Sequence, residues 1–176
     1  NLGPHGHQHQ VIQKTEDELN QHINAFMKEL CSLRPVLQLK RVADLGAGCG
    51  RVSKHFLLPI FEEVHLFEQS PRLVREAPAY IGAPDNERVT CHVQVLQDFK
   101  PLPNTYDVIW IQWVIGHLHD LDFINFFRQC AVGLRPGGVI VLKDNCTETV
   151  TFTVDKEDSS LTRASEYMRL LFTLSG

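Results

Sequence analysis

The chain is 176 residues long, 43% hydrophobic and 22% charged, an ordinary globular composition with enough sequence to bury one sizeable core. A formal net charge of −4 argues against nucleic-acid binding, which calls for a basic face, and is compatible with recruitment of a basic ligand. The five cysteines (Cys31, Cys49, Cys91, Cys130 and Cys146) are odd in number and form no C-x-x-C pair, which points to reduced thiols in a cytoplasmic or nuclear compartment rather than a disulfide framework. No apolar run reaches transmembrane length and no signal peptide is recognisable, so no membrane partner is expected. Because the chain opens on Asn1, a preceding segment is expected, with any targeting signal in it.

Along the chain, "NLGPHGHQHQ" reads as a loop. Its histidines His5, His7 and His9 suggest metal at first sight, but without partner ligands the loop reading is preferred and no metal is expected. A helix is predicted from Thr15, with Glu18 completing a capping box, and Leu19, Ile23, Phe26, Met27 and Leu30 facing a core. Strand one is Lys40 to Gly46, followed by a helix carrying Val52, Phe56 and Leu57. Strand two is Glu63 to Gln69, after which Ser70 and Pro71 read as N-cap and first helical residue. Strands three and four are Arg88 to Leu96 and Tyr106 to Val114. A helix capped near Asp120 or Asp122 turns Phe123, Phe126, Phe127, Cys130 and Leu134 inward, and "RPGG" (Arg135 to Gly138) ends it. Strand five is Val139 to Asn145, and a last helix is expected from about Ser160 to Leu174.

Alternating strands and helices, with strands that are continuous apolar runs, imply an α/β fold with a doubly wound, mostly parallel sheet. A single domain is expected, residues 1–35 forming an N-terminal loop and helix and residues 36–176 the α/β core. The ligand should lie at the carboxyl ends of the strands. There stands "VADLGAGCGR", Val42 to Arg51, with glycines at Gly46, Gly48 and Gly50. A dinucleotide fingerprint requires a small residue where this chain has Arg51, and no G-K-S/T follows for a Walker loop.

The pattern that remains, D-x-G-x-G-x-G from Asp44, resembles motif I of the S-adenosylmethionine-dependent methyltransferases. That resemblance implies glycines that let the backbone approach the amino-acid end and ribose of the cofactor. Arg51 is then suited to its carboxylate, and Glu68, at the end of strand two, to the ribose hydroxyls. Further stretches are more specific. "YDVIWIQWVIGHL", "KDN" and "DKEDSS", with "LGAGCGR", "FLLPIFEEV", "LQDF" and "LRPGG", closely resemble the protein α-N-terminal methyltransferases, from about Gly3 to Gly176. These enzymes methylate the free α-amine of proteins that begin X-Pro-Lys. The resemblance implies a Rossmann-like class I methyltransferase fold, with S-adenosyl-L-methionine as cofactor and S-adenosyl-L-homocysteine as product. It places Gly46, Gly48, Arg51, Glu68, Gln69 and Ser70 on the cofactor, Leu96 and Gln97 around the adenine, and Gln112 completing the pocket. Trp113 would line the substrate entrance, with Asp144 and Asp155 also on the substrate, and Asn145 and Asp158 would hold and deprotonate the amine, with His117 close by. Asp155, Glu157 and Asp158 form an acidic cluster suited to the substrate's lysine. The family often has aspartate where this chain has Glu68. It also has helices before Gly3 and a strand pair after the last helix, so the chain is expected to be a fragment lacking that pair.

The chemistry agrees. An α-amine of pKa about 7.7–8.0 is roughly a quarter neutral near pH 7.4, whereas a lysine amine at about 10.4 is almost wholly charged. An α-amine therefore needs only an aspartate to accept a proton and an amide to aim the lone pair. Other readings stand beside this one. Trp110 is expected in the core, His117 is compatible with a helix cap, Asn145 with a turn, Asp144 with a structural role, and "DKEDSS" with a solvated helix start. The alternative functions are a small-molecule or lysine-directed methyltransferase on the same fold, or a non-catalytic binding module. The expected partners are the N-terminal tails of substrate proteins, with the protein itself a monomer.

Overall fold

The computed structural model describes residues 21, 23–32, 36–148 and 151–176, and the chain divides into two compact units, Asn1–Leu37 and Gln38–Gly176. Thr15, Glu18, Leu19 and the histidines His5, His7 and His9 lie outside the described residues. In the first unit, residues 23–32 form helix α1, in which Ile23 and Met27 are buried. Phe26, expected to face inward, is exposed, and Leu30 is only half-buried: both flank the stripe that Ile23 and Met27 define one turn apart.

The second unit is built on five parallel strands, β1 (Arg41–Leu45), β2 (Glu63–Glu68), β3 (Val89–Val93), β4 (Tyr106–Gln112) and β5 (Leu134–Lys143), in the order β3-β2-β1-β4-β5. All of β4 is buried, as a central strand covered on both faces must be. Its side chains alternate, so Ile109 and Ile111 join Ala43 and Leu45 of β1 in a core with Phe123, Phe126, Phe127 and Cys130 of α3 (Asp120–Gly133). Met168 and Leu171 of α4 (Ser165–Ser175) complete that layer. Val108 and Trp110 take the opposite face, and Trp110 is a core residue as expected. Helix α2 (Pro71–Ile81) starts at N-cap Ser70 with Pro71 in its first turn, and buries Val74, Ala77 and Ile81. The helical turn after β1 widens into a π-helical segment, Ser53–Leu57, which buries Phe56 and Leu57 and sets the Ser53 hydroxyl 2.7 Å from the Asp44 carboxylate.

Buried Asp107, near the start of β4, explains itself by its partners. Its carboxylate accepts from the backbone N–H of Arg41 at 2.8 Å and of Lys40 at 3.2 Å, and from the Arg135 guanidinium at 2.9 Å. It anchors the amino end of the sheet, away from the carboxyl ends of β1 and β4, which stay paired to Leu45 and Ile111. The strand order reverses between these two strands, and a crevice forms where the connections leave their carboxyl ends in opposite directions.

The structure corrects the predicted boundaries in three places. "RPGG" does not end the helix but lies inside β5, which begins directly after Gly133. The register of β4 against β5 shifts between Tyr106 and Val108, and this irregularity absorbs the glycines: Gly137 has φ +82°, and a Cβ on Gly138 would lie 2.9 Å from the Asp107 carbonyl oxygen. Strand three ends at Val93, Gln94 and Val95 lie outside any element, and a 3-10 turn, Leu96–Asp98, begins where the expected run ended. Most consequentially, the last helix starts at Ser165, because Leu161–Arg163 is a strand, β7, paired antiparallel with β6 (Phe152–Val154). "DKEDSS" is therefore the turn of a hairpin and not a helix start.

Arg163 holds that hairpin. Its side chain is almost wholly removed from water, and its guanidinium donates to Asp120 Oδ1 at 2.8 and 3.1 Å and to the Leu118 carbonyl oxygen at 2.6 Å. The Tyr167 hydroxyl donates to the other Asp120 oxygen. Burial alone would raise the Asp120 carboxyl, but these two donors outweigh it and hold it below the ordinary range. Replacing Arg163 with Met is expected to cost about 2–4 kcal/mol in urea unfolding, because carbonyls of the Ile115–Leu118 turn lose their donor and the Asp120 carboxylate loses its cation.

Candidate active site

The carboxyl ends of the strands frame three adjoining cavities. The first lies over the glycine loop and is lined by Asp44, Gly46, Ala47, Gly48, Arg51, Val52, Gln112 and Trp113. Gly46, Gly48 and Gly50 all have positive φ, at +73°, +60° and +87°, which β-carbon residues adopt only with strain. Their surroundings differ. A Cβ on Gly46 would lie 2.6 Å from the Val114 side chain, whereas at Gly48 nothing stands within 4 Å, so the loop there is an open cradle. Asp44 is buried, and that burial pushes its carboxyl up to about 6 despite the Ser53 hydrogen bond and the nearby Arg51 charge. An acid and a guanidinium on one cavity match the ammonium and carboxylate of an amino-acid moiety.

The second cavity shares Gly46 and continues over Glu68, Gln69, Gln94, Leu96, Gln97, Val114, His117 and Leu118. Glu68 ends β2 and is held by backbone donors: Gly48 N–H reaches Oε2 at 3.1 Å and Ser70 N–H reaches Oε1 at 2.8 Å. A carboxylate has about four lone-pair sites, so Glu68 keeps capacity for hydroxyl donors such as those of a ribose. Ser70 itself does not line the cavity; it caps α2 and orients Glu68. Leu96, Val114 and Leu118 supply apolar walls for a base.

The third cavity shares Trp113 with the first and His117 with the second, and adds Gly116, Asp144, Asn145, Asp155, Asp158, Ser160, Leu161 and Thr162. The hairpin closes this side. Asp155 Oδ1 accepts from Glu157 N–H at 2.8 Å and Asp158 Oδ1 from Ser160 N–H at 2.9 Å, and these bonds shape the turn. The Ser160 hydrogen bonds, with a smaller effect from His117, hold the Asp158 carboxyl below its ordinary range. Asp144 is committed to the backbone, accepting from Ile115 N–H at 3.2 Å and Asn145 N–H at 2.8 Å. Gly116 allows the hairpin to approach: a Cβ there would lie 3.1 Å from the Leu161 carbonyl oxygen.

The residues fit S-adenosylmethionine on grounds internal to the structure. Gln112 is buried, its Oε1 accepts from Trp110 Nε1 at 3.2 Å, and its Nε2 is buried without a partner among the described residues, a donor left for a ligand. The open cradle at Gly48, the charge pair Asp44 and Arg51, and the spare acceptors of Glu68 complete a site for an amino acid joined to a ribose. Of the residues placed on cofactor or substrate from sequence, all but Ser70 and Glu157 line one of the three cavities. The sequence reading missed Gln94 and Val114, which the rule of looking just past each strand end could have found. It also assigned no role to Asp44, whose place at the front of the glycine motif was the available signal.

The Asp44 carboxyl makes ligand affinity depend on pH. Below about 6 it is neutral and cannot pair with an ammonium, so the affinity for S-adenosylhomocysteine measured by calorimetry is expected to fall as pH drops through 6, and Asp44→Asn to flatten the profile. Unfolding does not mimic this effect through Asp44. A carboxyl raised on folding contributes stability that is fully present below its ordinary 3.8 and lost as pH rises through about 6.

The profile of a family described as AdoMet dependent proline di-methyltransferase matches residues 6–176. An alpha N-terminal protein methyltransferase 1 from Dictyostelium discoideum is 46% identical over 155 residues, 88% of this chain and 56% of its own length. The N-terminal Xaa-Pro-Lys N-methyltransferase 1 of Homo sapiens is 42% identical over 134 residues, 76% of this chain and 59% of its own. A SAM-dependent methyltransferase of known structure from Leishmania major superposes with a TM-score of 0.81 at 32% identity, covering 94% of this chain and 65% of that one. The chain thus spans a little over half the length of these two curated relatives. With a match that runs from residue 6 to the last residue, and identities above 40% to both relatives, the chain belongs to the AdoMet-dependent proline di-methyltransferase family.

Proposed function

We propose that the protein methylates the free α-amine of proteins beginning X-Pro-Lys, acting as a monomer in a reducing cytoplasmic or nuclear compartment. The observation that carries this reading is the third cavity, in which Asn145, Asp155 and Asp158 gather on one side of Trp113 while the glycine-loop cavity opens on the other. A small apolar residue such as proline packs well on an indole face, and carboxylates on the hairpin suit an ammonium and a lysine. All five cysteines are free, which supports the compartment. Among the described residues no helix is long and apolar enough to cross a membrane.

S-adenosylmethionine, when bound, supplies an electrophilic methyl group. The chain's own residues then have to present a neutral amine in line with it. Asp158 is exposed and holds its negative charge, so it attracts the α-ammonium, accepts its proton only in passing and releases it to the solvent it faces. Asn145, beside it on the cavity wall, offers an amide oxygen to an amine N–H and so fixes where the lone pair points. Trp113, shared by the first and third cavities, and His117, shared by the second and third, form the partition past which the amine approaches.

Mass spectrometry of peptides incubated with S-adenosylmethionine tests the reading. Methylation is expected on a peptide beginning Ser-Pro-Lys, and not on its N-acetylated form or on one beginning Ser-Gln-Lys. Equal labelling of the acetylated peptide would move the target to lysine and overturn the proposal. Asp158→Asn is expected to lower kcat/KM on the first peptide roughly 100-fold while cofactor affinity is retained.

A further inference from the structure

Trp113 is the only residue that lines both the glycine-loop cavity and the cavity of the hairpin acids among the described residues, so the placement of its ring sets both. That placement is not automatic. Trp113 has φ +55°, in the left-handed region where a bulky residue is strained, and it is 48% exposed, with little packing to hold it.

Two contacts with Lys143 compensate. The Trp113 N–H donates to the Lys143 carbonyl oxygen at 2.9 Å, directly beyond the last pair of the β4–β5 register, Gln112 with Lys143. The Lys143 ammonium lies 5.2 Å from the centre of the indole, and the Arg51 guanidinium lies 5.7 Å from it. Among the described residues Lys143 makes no ion pair, and it does not itself line either cavity. Burial, and then the Arg51 charge, bring its amine below the ordinary lysine range, so the site bears a cost to keep it there. A cation at this spot cannot serve to attract a basic peptide tail, which it repels. Its charge therefore works on the indole.

Resting on the proposed α-amine reading, we infer that Lys143 is a positioning residue: its backbone and its ammonium together hold the strained Trp113 ring at the partition between cofactor and peptide cavities. Arg51 shares the ring but has the cofactor's carboxylate as its second task, whereas Lys143 has no other partner in the described structure. The charge, and not the length of the side chain, is what the ring requires.

The test compares Lys143→Met, close in shape and uncharged, with Lys143→Arg, which keeps the cation. Acrylamide quenching of tryptophan emission reports Trp113, because Trp110 is 1% exposed. Lys143→Met is expected to raise the quenching constant and to raise the KM for a Ser-Pro-Lys peptide about three- to tenfold, with kcat and the Kd for S-adenosylhomocysteine within about twofold of wild type. Lys143→Arg should restore both readings. Unchanged quenching in Lys143→Met would overturn the inference, as would a rise in the Kd for S-adenosylhomocysteine, which would assign Lys143 to the cofactor carboxylate instead. If the unaltered protein leaves the peptide unmethylated, the substrate reading fails, and quenching alone still decides whether Lys143 holds the ring.

Discussion

The buried guanidinium of Arg163 is the constraint on which the candidate site depends. A charge removed from water is tolerated only when its donors are met, and here they are met by Asp120 and by carbonyls of the Ile115–Leu118 turn. That turn carries His117 and Leu118, which line the second cavity, while Arg163 itself ends β7, whose hairpin carries Asp155 and Asp158. One side chain thus joins the wall of the second cavity to the wall of the third. Gly116 makes the joint possible, because any larger residue would press on the Leu161 carbonyl. Phe123, with its ring 5.4 Å below the guanidinium, ties the same charge to the aromatic core.

Charge is sorted along the sheet. At the amino ends of the strands, Asp107 serves backbone N–H groups and Arg135, and Glu63 pairs with Arg41 at 2.7 Å and His65 at 2.8 Å, so these acids are spent on structure. At the carboxyl ends, Asp44 and Glu68 face a cavity, with capacity left over. The same acidic residue type therefore does two kinds of work, and the strand end on which it stands decides which. The modest net charge of −4 conceals this, since the hairpin acids stand as a local cluster on one cavity wall.

Asp158 illustrates how local geometry sets chemistry. Its hydrogen bond from Ser160 stabilises the carboxylate, which makes it a dependable negative charge and a poor store for a proton. An amine that is already partly neutral near neutral pH tolerates such a partner, whereas a lysine amine would need a stronger base. Asp144, one residue before Asn145, has its oxygens on backbone N–H groups and steadies the Ile115 turn, so adjacent acid and amide in "KDN" have separate duties.

Much of the architecture was legible in the residues themselves. Alternating apolar runs and amphipathic helices state where a parallel sheet is buried, and glycines at Gly46, Gly48 and Gly50 state a loop that only positive φ can make. The family resemblance also singled out Glu68 and Gln112, which end β2 and β4, because in a parallel sheet the end of each strand in the chain lies at the carboxyl edge. The hairpin was not legible. "DKEDSS" carries residues that start helices as readily as they turn strands, and Leu161–Arg163 is too short to show a period. What decided it was a long-range interaction, Arg163 with Asp120 across 43 positions, which no local pattern encodes. In the same way β5 took in "RPGG" because its neighbour β4 required a shifted register. Local chemistry, written in the order of residues, determined the sheet and the glycine loop; the hairpin wall waited on a buried charge finding its partners in three dimensions.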